Sequence, residues 1–430
     1  MLDRKFIVDQ VELVKQNCKN RGITIDVDRL VAIEAQRREK LNEVEDFNRR
    51  SNEKSNLMGK AKDAAEREKL KEEGRQLREQ KERAQHEYDA LDTEARAIQL
   101  LIPNMAHADA PVGSDDQANL EIRRGKHEPR TFDFPVLDHV QLGEARDMID
   151  FEGGARTTGA GFYFLKNDAV LLELALQQYA VQQLIKRGFI PTITPDLAQD
   201  SILEGIGFNP RGPETQVYSI ADSNLSLVGT AEITLGGLYS GQTLTEEELP
   251  IKLCGISHCY RTEAGAAGRA SRGLYRVHQF TKIEMFAFTL AEQSDAMHDE
   301  LCQIECDIFD DLGIPYRVVD TATGDLGGPA YRKFDLEAWM PGRGEAGEWG
   351  EVTSTSNCTD YQARRLNIRW KRKGEKGTKF VHTLNGTAIA VSRAIIAILE
   401  NYQQADGTIT VPEVLRPFIG KDVLGARPSE

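Results

Sequence analysis

No stretch of the 430 residues is apolar for long enough to span a bilayer as a helix. The opening MLDRKFIVDQ has no apolar core of the kind a secretory signal needs. These two absences predict a cytoplasmic protein with no membrane partner. Cysteine is scarce. Six in a chain of this length do not make a disulfide scaffold. Cys254 and Cys259 flank His258, and Cys302 and Cys306 lie one helical turn apart, but neither pair has C-x-x-C spacing and no matching pair follows. They read as buried thiols, and no zinc is expected. Positive charge is not in excess either: the formal net charge is -14, which disfavours indiscriminate nucleic-acid binding while leaving room for a local basic surface. What remains is an ordinary globular balance, 40% hydrophobic and 28% charged, long enough for two or three domains.

Proline is also missing from residues 30 to 102, which are rich in Glu, Lys, Arg, Gln and Ala. Leu70, Leu77, Ala84, Leu91 and Ile98 recur every seventh residue, with Tyr88, Ala95 and Ile102 four residues after members of that set. This is a coiled-coil seam. A looser seam runs through Leu30, Ile33, Leu41, Val44, Phe47 and Met58. A turn near Gly59 to Ala65 would fold the two halves into a long antiparallel hairpin, ended by Pro103. We expect residues 1–105 to form this arm and 106–430 a separate body. Acidic residues nearly balance the arm's Arg49, Arg50, Lys54, Lys60, Lys62, Arg75 and Arg78, so charge alone leaves open whether it meets phosphates or another coil.

In the body, Pro103 to Pro135 reads as linker and entry. VLLELALQQYAVQQLIKRG and SDAMHDELCQIECDIFDDLG read as helices; IKLCGISHCYR and HQFTKIEMFAFT read as strands; TAIAVSRAIIAILENYQ reads as a helix apolar nearly all round and therefore buried. Strands joined by hairpin-like loops, with helices segregated, predict an α+β domain built on an antiparallel sheet.

The loop between those strands, RTEAGAAGRASRGLYRV, carries Arg261, Arg269, Arg272 and Arg276 among small residues. It lacks the Lys and hydroxyl that follow a P-loop glycine. Arginine forks match phosphate or carboxylate, and small residues admit close approach. Arg261 closes one strand and Arg276 opens the next. Glu263 would share Arg261's face if the strand continued, and Phe280 shares a face with Glu284. A cation, an aromatic ring and carboxylates on one face outline a site for a nucleotide and an amine. GTAEITLGGLY adds Thr230 and Glu232 at a loop or helix start. GEVTSTSNCTDYQARR sets Glu351 beside hydroxyls, a hard-oxygen site for Mg²⁺. HTLNGTAIAVSR puts Asn385 and Thr387 at the entrance to the buried helix, with Arg393 two turns in, where it requires an anionic partner.

Taken together, these segments resemble the bacterial-type seryl-tRNA synthetases over essentially the whole chain. YRTEAGAAGRASRGLYRVHQFTKIE is similar to motif 2 of the class II enzymes in its seryl form, TLNGTAIAVSRAIIAILENYQ to motif 3, and RGFIPTITPDL, with Pro195, to motif 1; GTAE, SNCTDYQARR and VPEVLRPFIG are companions. The resemblance implies an N-terminal antiparallel coiled-coil arm, a class II antiparallel sheet flanked by helices, and a homodimer. It implies activation of L-serine by ATP with Mg²⁺, then transfer of serine to tRNA(Ser) and also to tRNA(Sec). By the same resemblance Thr230, Ala231, Glu232, Arg261, Glu284, Asn385 and Thr387 bind serine. Arg261, Thr262, Glu263, Arg276, Val277, Phe280, Glu351, Val352, Thr353, Ser354 and Arg393 bind ATP, Glu351 and Ser354 hold the metal, and Arg261 and Arg393 are catalytic. Ala266, Ala270 and Ser271 depart from the residues frequent in motif 2, and LEGIGFNPRGPETQVYSI departs from the usual pattern around 205–218. Two rivals are a ligase that loads an amino acid onto a carrier protein, which the long arm argues against, and an inert RNA-binding relative, which the retention of Arg261, Glu284 and Arg393 argues against.

Overall fold

The computed structural model describes residues 1–209, 216–263 and 273–426. The chain divides into two compact units, Met1–Met105 and Ala106–Glu430.

The first unit is helical: α1 (Arg4–Asp9), α2 (Val11–Asn20), α3 (Val27–Lys60) and α4 (Ala64–Leu101). Asp26 caps α3 by accepting from the Arg29 N–H at 2.8 Å, and Asp63 caps α4 by accepting from the Glu66 N–H. The turn between them occupies 61–63, inside the expected interval. Leu30, Ile33 and Val44 of α3 are buried, as are Leu77, Ala84 and Ala95 of α4 and Ile102 just after it. Polar ties follow the seam: Arg37 donates to the Tyr88 hydroxyl at 2.6 Å, Lys40 pairs with Glu87 at 2.9 Å, and Lys54 with Glu73 at 2.5 Å. Met58, expected in the first seam, is 39% exposed, because the apolar spacing runs out before the turn.

The second unit is built on eight strands: β1 (Leu120–Arg124), β2 (Ile190–Ile193), β3 (Ile251–Tyr260), β4 (Gln279–Thr289), β5 (Tyr316–Asp320), β6 (Arg332–Met340), β7 (Glu348–Asn357) and β8 (His382–Ala390). Their order in the sheet is β1-β5-β6-β7-β8-β4-β3-β2. Every neighbouring pair is antiparallel except β2 with β3. Strand β1 lies inside the segment expected to be linker. All five of its residues are exposed, so it shows no alternation to read. No helix among the described residues is long and apolar enough to cross a membrane.

Strand β4 shows how the sheet separates its two faces. Ile283, Met285 and Ala287 pack into the main core with helices α5 (Asp168–Lys186), α7 (Ser294–Asp311) and α8 (Val391–Tyr402). On the other face Phe286 and Phe288 lie in a second core beside α6 (Ala231–Gly237). Period-2 alternation therefore puts Phe280, Lys282 and Glu284 on the α6 side. Two bulges adjust this pattern. In β7 the register with β6 slips between Glu351 and Thr353, leaving Val352 unmatched; in β8 the register with β4 slips between Thr387 and Ile389, leaving Ala388 unmatched.

One expectation is corrected here. Thr387 to Ala390 belong to β8 and not to the buried helix, which begins at Val391. Thr387 sits opposite Glu284, and cross-strand pairing in the middle of the sheet outweighs the apolar run that made the segment look helical. Arg393 is consequently in the first turn of α8 rather than two turns in.

Gly255 in β3 lies opposite Glu284 and lets α6 close onto the sheet: a Cβ there would stand 2.7 Å from that of Ala231 and 2.8 Å from a Leu235 methyl. Gly255→Val is expected to lower stability by about 1–3 kcal/mol through overpacking, read as a lower urea midpoint. An unchanged midpoint would mean that α6 is not held this closely.

Candidate active site

Two cavities meet on the α6 side of the sheet. The smaller, about 140 Å³, is lined by Arg261, Glu263, Arg276, Phe280, Glu351 and Arg393, among others. The larger, about 590 Å³, is lined by Thr230, Glu232, Glu284, Asn385 and others. Arg261, Lys282, Ser354 and Thr387 line both.

Arg261 follows the last residue of β3. Its backbone N–H donates to the His278 carbonyl at 3.0 Å, and its own carbonyl faces His278 Nδ1 at 2.7 Å, which extends the β3–β4 pairing by one step. The guanidinium lies over the Phe280 ring, 5.3 Å from its centroid, and Nε donates to the Gly229 carbonyl at 3.3 Å. The strand does not continue to Glu263, as shared-face alternation would require: β3 stops at Tyr260 and Glu263 has φ +50. Glu263 reaches the cavity by this turn instead and accepts from Arg276 at 3.3 Å. Arg269 and Arg272 of the loop, and the departures Ala266, Ala270 and Ser271, lie outside the described residues, as does 210–215 of the atypical 205–218 segment.

Arg393 has the anionic partner that its place on an apolar helix demands. It lies 3.4 Å from the Glu351 carboxylate and donates to the Glu351 carbonyl at 2.8 Å. The packing around Glu351 opposes its charge, yet Arg393, Lys333 and Arg261 hold its carboxyl below the ordinary range. Arg393 and Arg343 both lie over the Tyr275 ring, their guanidinium carbons 4.6 and 4.3 Å from its centroid, and its hydroxyl donates to the Glu351 carbonyl at 3.1 Å.

The hydroxyl run after Glu351 is split between the two faces. The Thr353 hydroxyl donates to buried Glu305 of α7 at 2.9 Å, and the Thr355 hydroxyl meets His298 at 3.2 Å. Thr353 was expected at the nucleotide; it lines the smaller cavity, but its hydroxyl is engaged behind the sheet. Ser354 and Ser356 face the larger cavity. Glu351 and Ser354 are three apart, an odd spacing that a regular strand would put on opposite faces. The bulge at Val352 restores them to one side. Among the described residues no group of three or more His, Cys, Asp or Glu is placed to hold a metal. One carboxylate and one hydroxyl fit a Mg²⁺ that keeps waters and phosphate oxygens for its remaining positions.

In the larger cavity Thr230 caps α6, accepting from the Glu232 N–H at 3.2 Å, and this aims Glu232 inward. Glu232 accepts from Gln362 at 2.8 Å and Asn385 at 2.9 Å. Burial and the nearby Glu284 push its carboxyl up to about 7, against the pull of Gln362, Lys282 and Arg261. Glu284, fully buried, accepts from Thr387 at 3.3 Å and pairs with Lys282 at 2.5 Å. Burial raises it, and Lys282, then Thr387 and Arg261, draw it back without cancelling the rise. Val277 and Val352 line the smaller cavity with buried side chains, while Ala231 and Thr262 line neither cavity.

Lys282, Tyr275 and Gln362 were not anticipated as site residues. Lys282 had a readable signal: it stands between Phe280 and Glu284 with the same parity, so the alternation that placed those two places it as well. Gln362 had none, because its position depends on where the short helix Tyr361–Leu366 packs.

Residues 217–402 match the tRNA synthetase class II core domain (G, H, P, S and T), and residues 1–106 match the seryl-tRNA synthetase N-terminal domain. The chain is 63% identical over 424 residues to a serine–tRNA ligase of Rhodopirellula baltica, covering 99% of each, and 55% identical to one of Treponema denticola, covering 99% of this chain and all of that one. Its fold is similar to seryl-tRNA synthetase from Pyrococcus horikoshii complexed with ATP, at TM-score 0.92 and 36% identity over the whole of both chains. It is also similar to a cytoplasmic serine–tRNA ligase of Naegleria fowleri in complex with AMP, at TM-score 0.85 and 31% identity, covering 96% of this chain and 95% of that one.

The raised Glu232 gives a stability test. Because its folded value, about 7, exceeds the unfolded one, the native state binds the extra proton, and stability should fall as pH rises from the unfolded carboxylate range through 7. Glu232→Gln removes that loss. Relative to the variant, the wild type should lose up to about 3 kcal/mol between acid and mildly alkaline pH, measured by urea unfolding. Parallel pH profiles would contradict the raised value.

Proposed function

The chain belongs to the seryl-tRNA synthetases of class II, enzymes that are serine–tRNA ligases, and on that premise we propose that the two cavities are the sites of ATP and of L-serine. The carrying observation is their junction, where one cavity lined by arginines joins one lined by carboxylates through Arg261, Lys282, Ser354 and Thr387. An anion and an amino acid bound there would face each other across that boundary.

In the first step a serine carboxylate oxygen attacks the α-phosphorus of ATP, forming the seryl-adenylate mixed anhydride as the bond to pyrophosphate breaks. The carboxylate is ionised at neutral pH, so no general base is needed, and positioning with charge stabilisation does the work. Arg261 bridges the α-phosphate and the serine carboxylate; Arg393 takes the far phosphates, and Arg276 assists. Phe280 stacks on adenine while Glu263 accepts from its amino group. Glu351 and Ser354 would hold Mg²⁺, which would supply charge neutralisation on the phosphate oxygens. In the second step a terminal ribose hydroxyl of tRNA attacks the seryl carbonyl and AMP leaves.

Glu232 and Glu284 take the ammonium and the hydroxyl of serine, with Thr230, Asn385 and Thr387 completing the set. Alanine or glycine would leave these buried groups unpaired, which is the basis of strong rejection of analogues that lack a hydroxyl. The arm of residues 1–105 reaches the long variable arm of tRNA(Ser). By family resemblance tRNA(Sec) is a second acceptor, and the reaction takes place in the cytoplasm. A homodimer is supported by exposed apolar residues on α5 (Leu174 57%, Ile185 48%) and on the edge strand β2 (Ile190 56%, Ile193 84%).

One experiment tests both halves. Wild type should catalyse serine-dependent ATP–pyrophosphate exchange and charge tRNA(Ser); Glu284→Ala should lose both. Deletion of Val44 to Arg83 should keep exchange and lose charging. Near-normal exchange by Glu284→Ala would defeat the serine-site assignment, and normal charging by the deletion would defeat the role of the arm.

A further inference from the structure

Outside both cavities, a buried histidine and glutamate meet behind the nucleotide wall. Glu400, on α8, is 1% exposed, and its carboxylate accepts from three donors: the His139 N–H at 3.1 Å, the Gly342 N–H at 3.0 Å, and His139 Nδ1 at 2.9 Å. The other ring nitrogen, Nε2, accepts the Leu274 backbone N–H at 3.1 Å. These contacts fix the tautomer. An N–H donor at Leu274 requires a bare Nε2, so the ring proton is on Nδ1 and points at Glu400. The fit is close on the chain side as well. Gly273 has φ +82, and a Cβ there would lie 2.1 Å from His139 Nε2.

Leu274 leads directly into the smaller cavity. Tyr275 stacks on Arg393, and Arg276 pairs with Glu263. We propose that His139, held by Glu400, is a positioning residue for the nucleotide: it clamps the backbone at Leu274 and thereby sets where Tyr275 and Arg276 stand. The inference rests on the assignment of the smaller cavity to ATP. It adds a residue that does not touch substrate and lies 135 positions from the backbone it holds. The serine cavity is not lined by Tyr275 or Arg276, so a loss of the clamp should act on ATP and spare serine.

The test compares steady-state ATP–pyrophosphate exchange in wild type, His139→Leu and His139→Gln, with the melting transition of each recorded. Leucine removes both the acceptor and the donor. The glutamine amide offers both an acceptor and a donor and can turn to present them. KM for ATP should rise about tenfold in His139→Leu, the loss expected for one buried hydrogen bond, with KM for serine nearly unchanged. His139→Gln should recover most of that loss. Should the leucine variant not fold, Glu400→Gln, which keeps the volume and disrupts the three-donor acceptor, is read for the same ATP-selective change. Equal rises in both KM values, a fall in kcat alone, or a glutamine variant no better than leucine would overturn the proposal. Failure of wild type to show exchange would instead overturn the parent assignment, so the two outcomes stay distinct.

Discussion

A lysine and a glutamate two residues apart in the middle of a sheet, both almost out of water, set the terms for the rest of this site. Lys282 and Glu284 lie 2.5 Å apart on β4, 6% and 1% exposed. Either charge alone at that depth would be strongly destabilising, whereas the pair, with Thr387 hydrogen-bonded to both, is tolerable. The arrangement needs the strand to stay regular at this point, needs Gly255 alongside so that α6 can close over it, and needs β8 to bring Thr387 opposite Glu284. The helices behind the sheet supply a largely apolar support, and both cavities open on the other face.

The same rule governs the side we assign to the nucleotide. Arg393 in the first turn of α8 stands where a helix dipole disfavours a cation. Glu351 compensates it, and the bulge at Val352 brings Glu351 and Ser354 to one side. Charge compensation thus links β4, β7, β8 and α8, and the residues that satisfy one another without substrate are those we assign to substrate.

Much of this was legible in the sequence because it depends on period. The heptad spacing of Leu77, Ala84, Leu91 and Ile98 announces α4, and the alternation in FTKIEMFAF separates a polar face from an apolar one. The ordered motifs were long enough to identify the family before any coordinates. What was not legible came from tertiary context. TAIA reads as the start of a helix because an apolar run does not reveal that Thr387 pairs with Glu284 and Ile389 with Ile283. Strand β1 has five exposed residues and no pattern to announce it. The engagement of Thr353 with Glu305, and the clamp of His139 on Leu274, join residues distant in sequence, and no local spacing encodes either.

The central claim is that Lys282 offsets the burial of Glu284 and holds its carboxylate in place for the ammonium ligand we propose. The most direct measurement is KM for serine in ATP–pyrophosphate exchange by Lys282→Met, from mildly acid to mildly alkaline pH, beside wild type. Burial raises Glu284 and Lys282 is the largest counter to that rise, so in the variant the carboxyl should keep its proton to higher pH than in wild type, most of all at the acid end of the range. Its KM should be high there and fall as pH rises, with a steeper pH dependence than that of wild type. A KM in Lys282→Met that is unchanged, or raised equally at every pH, would contradict the account.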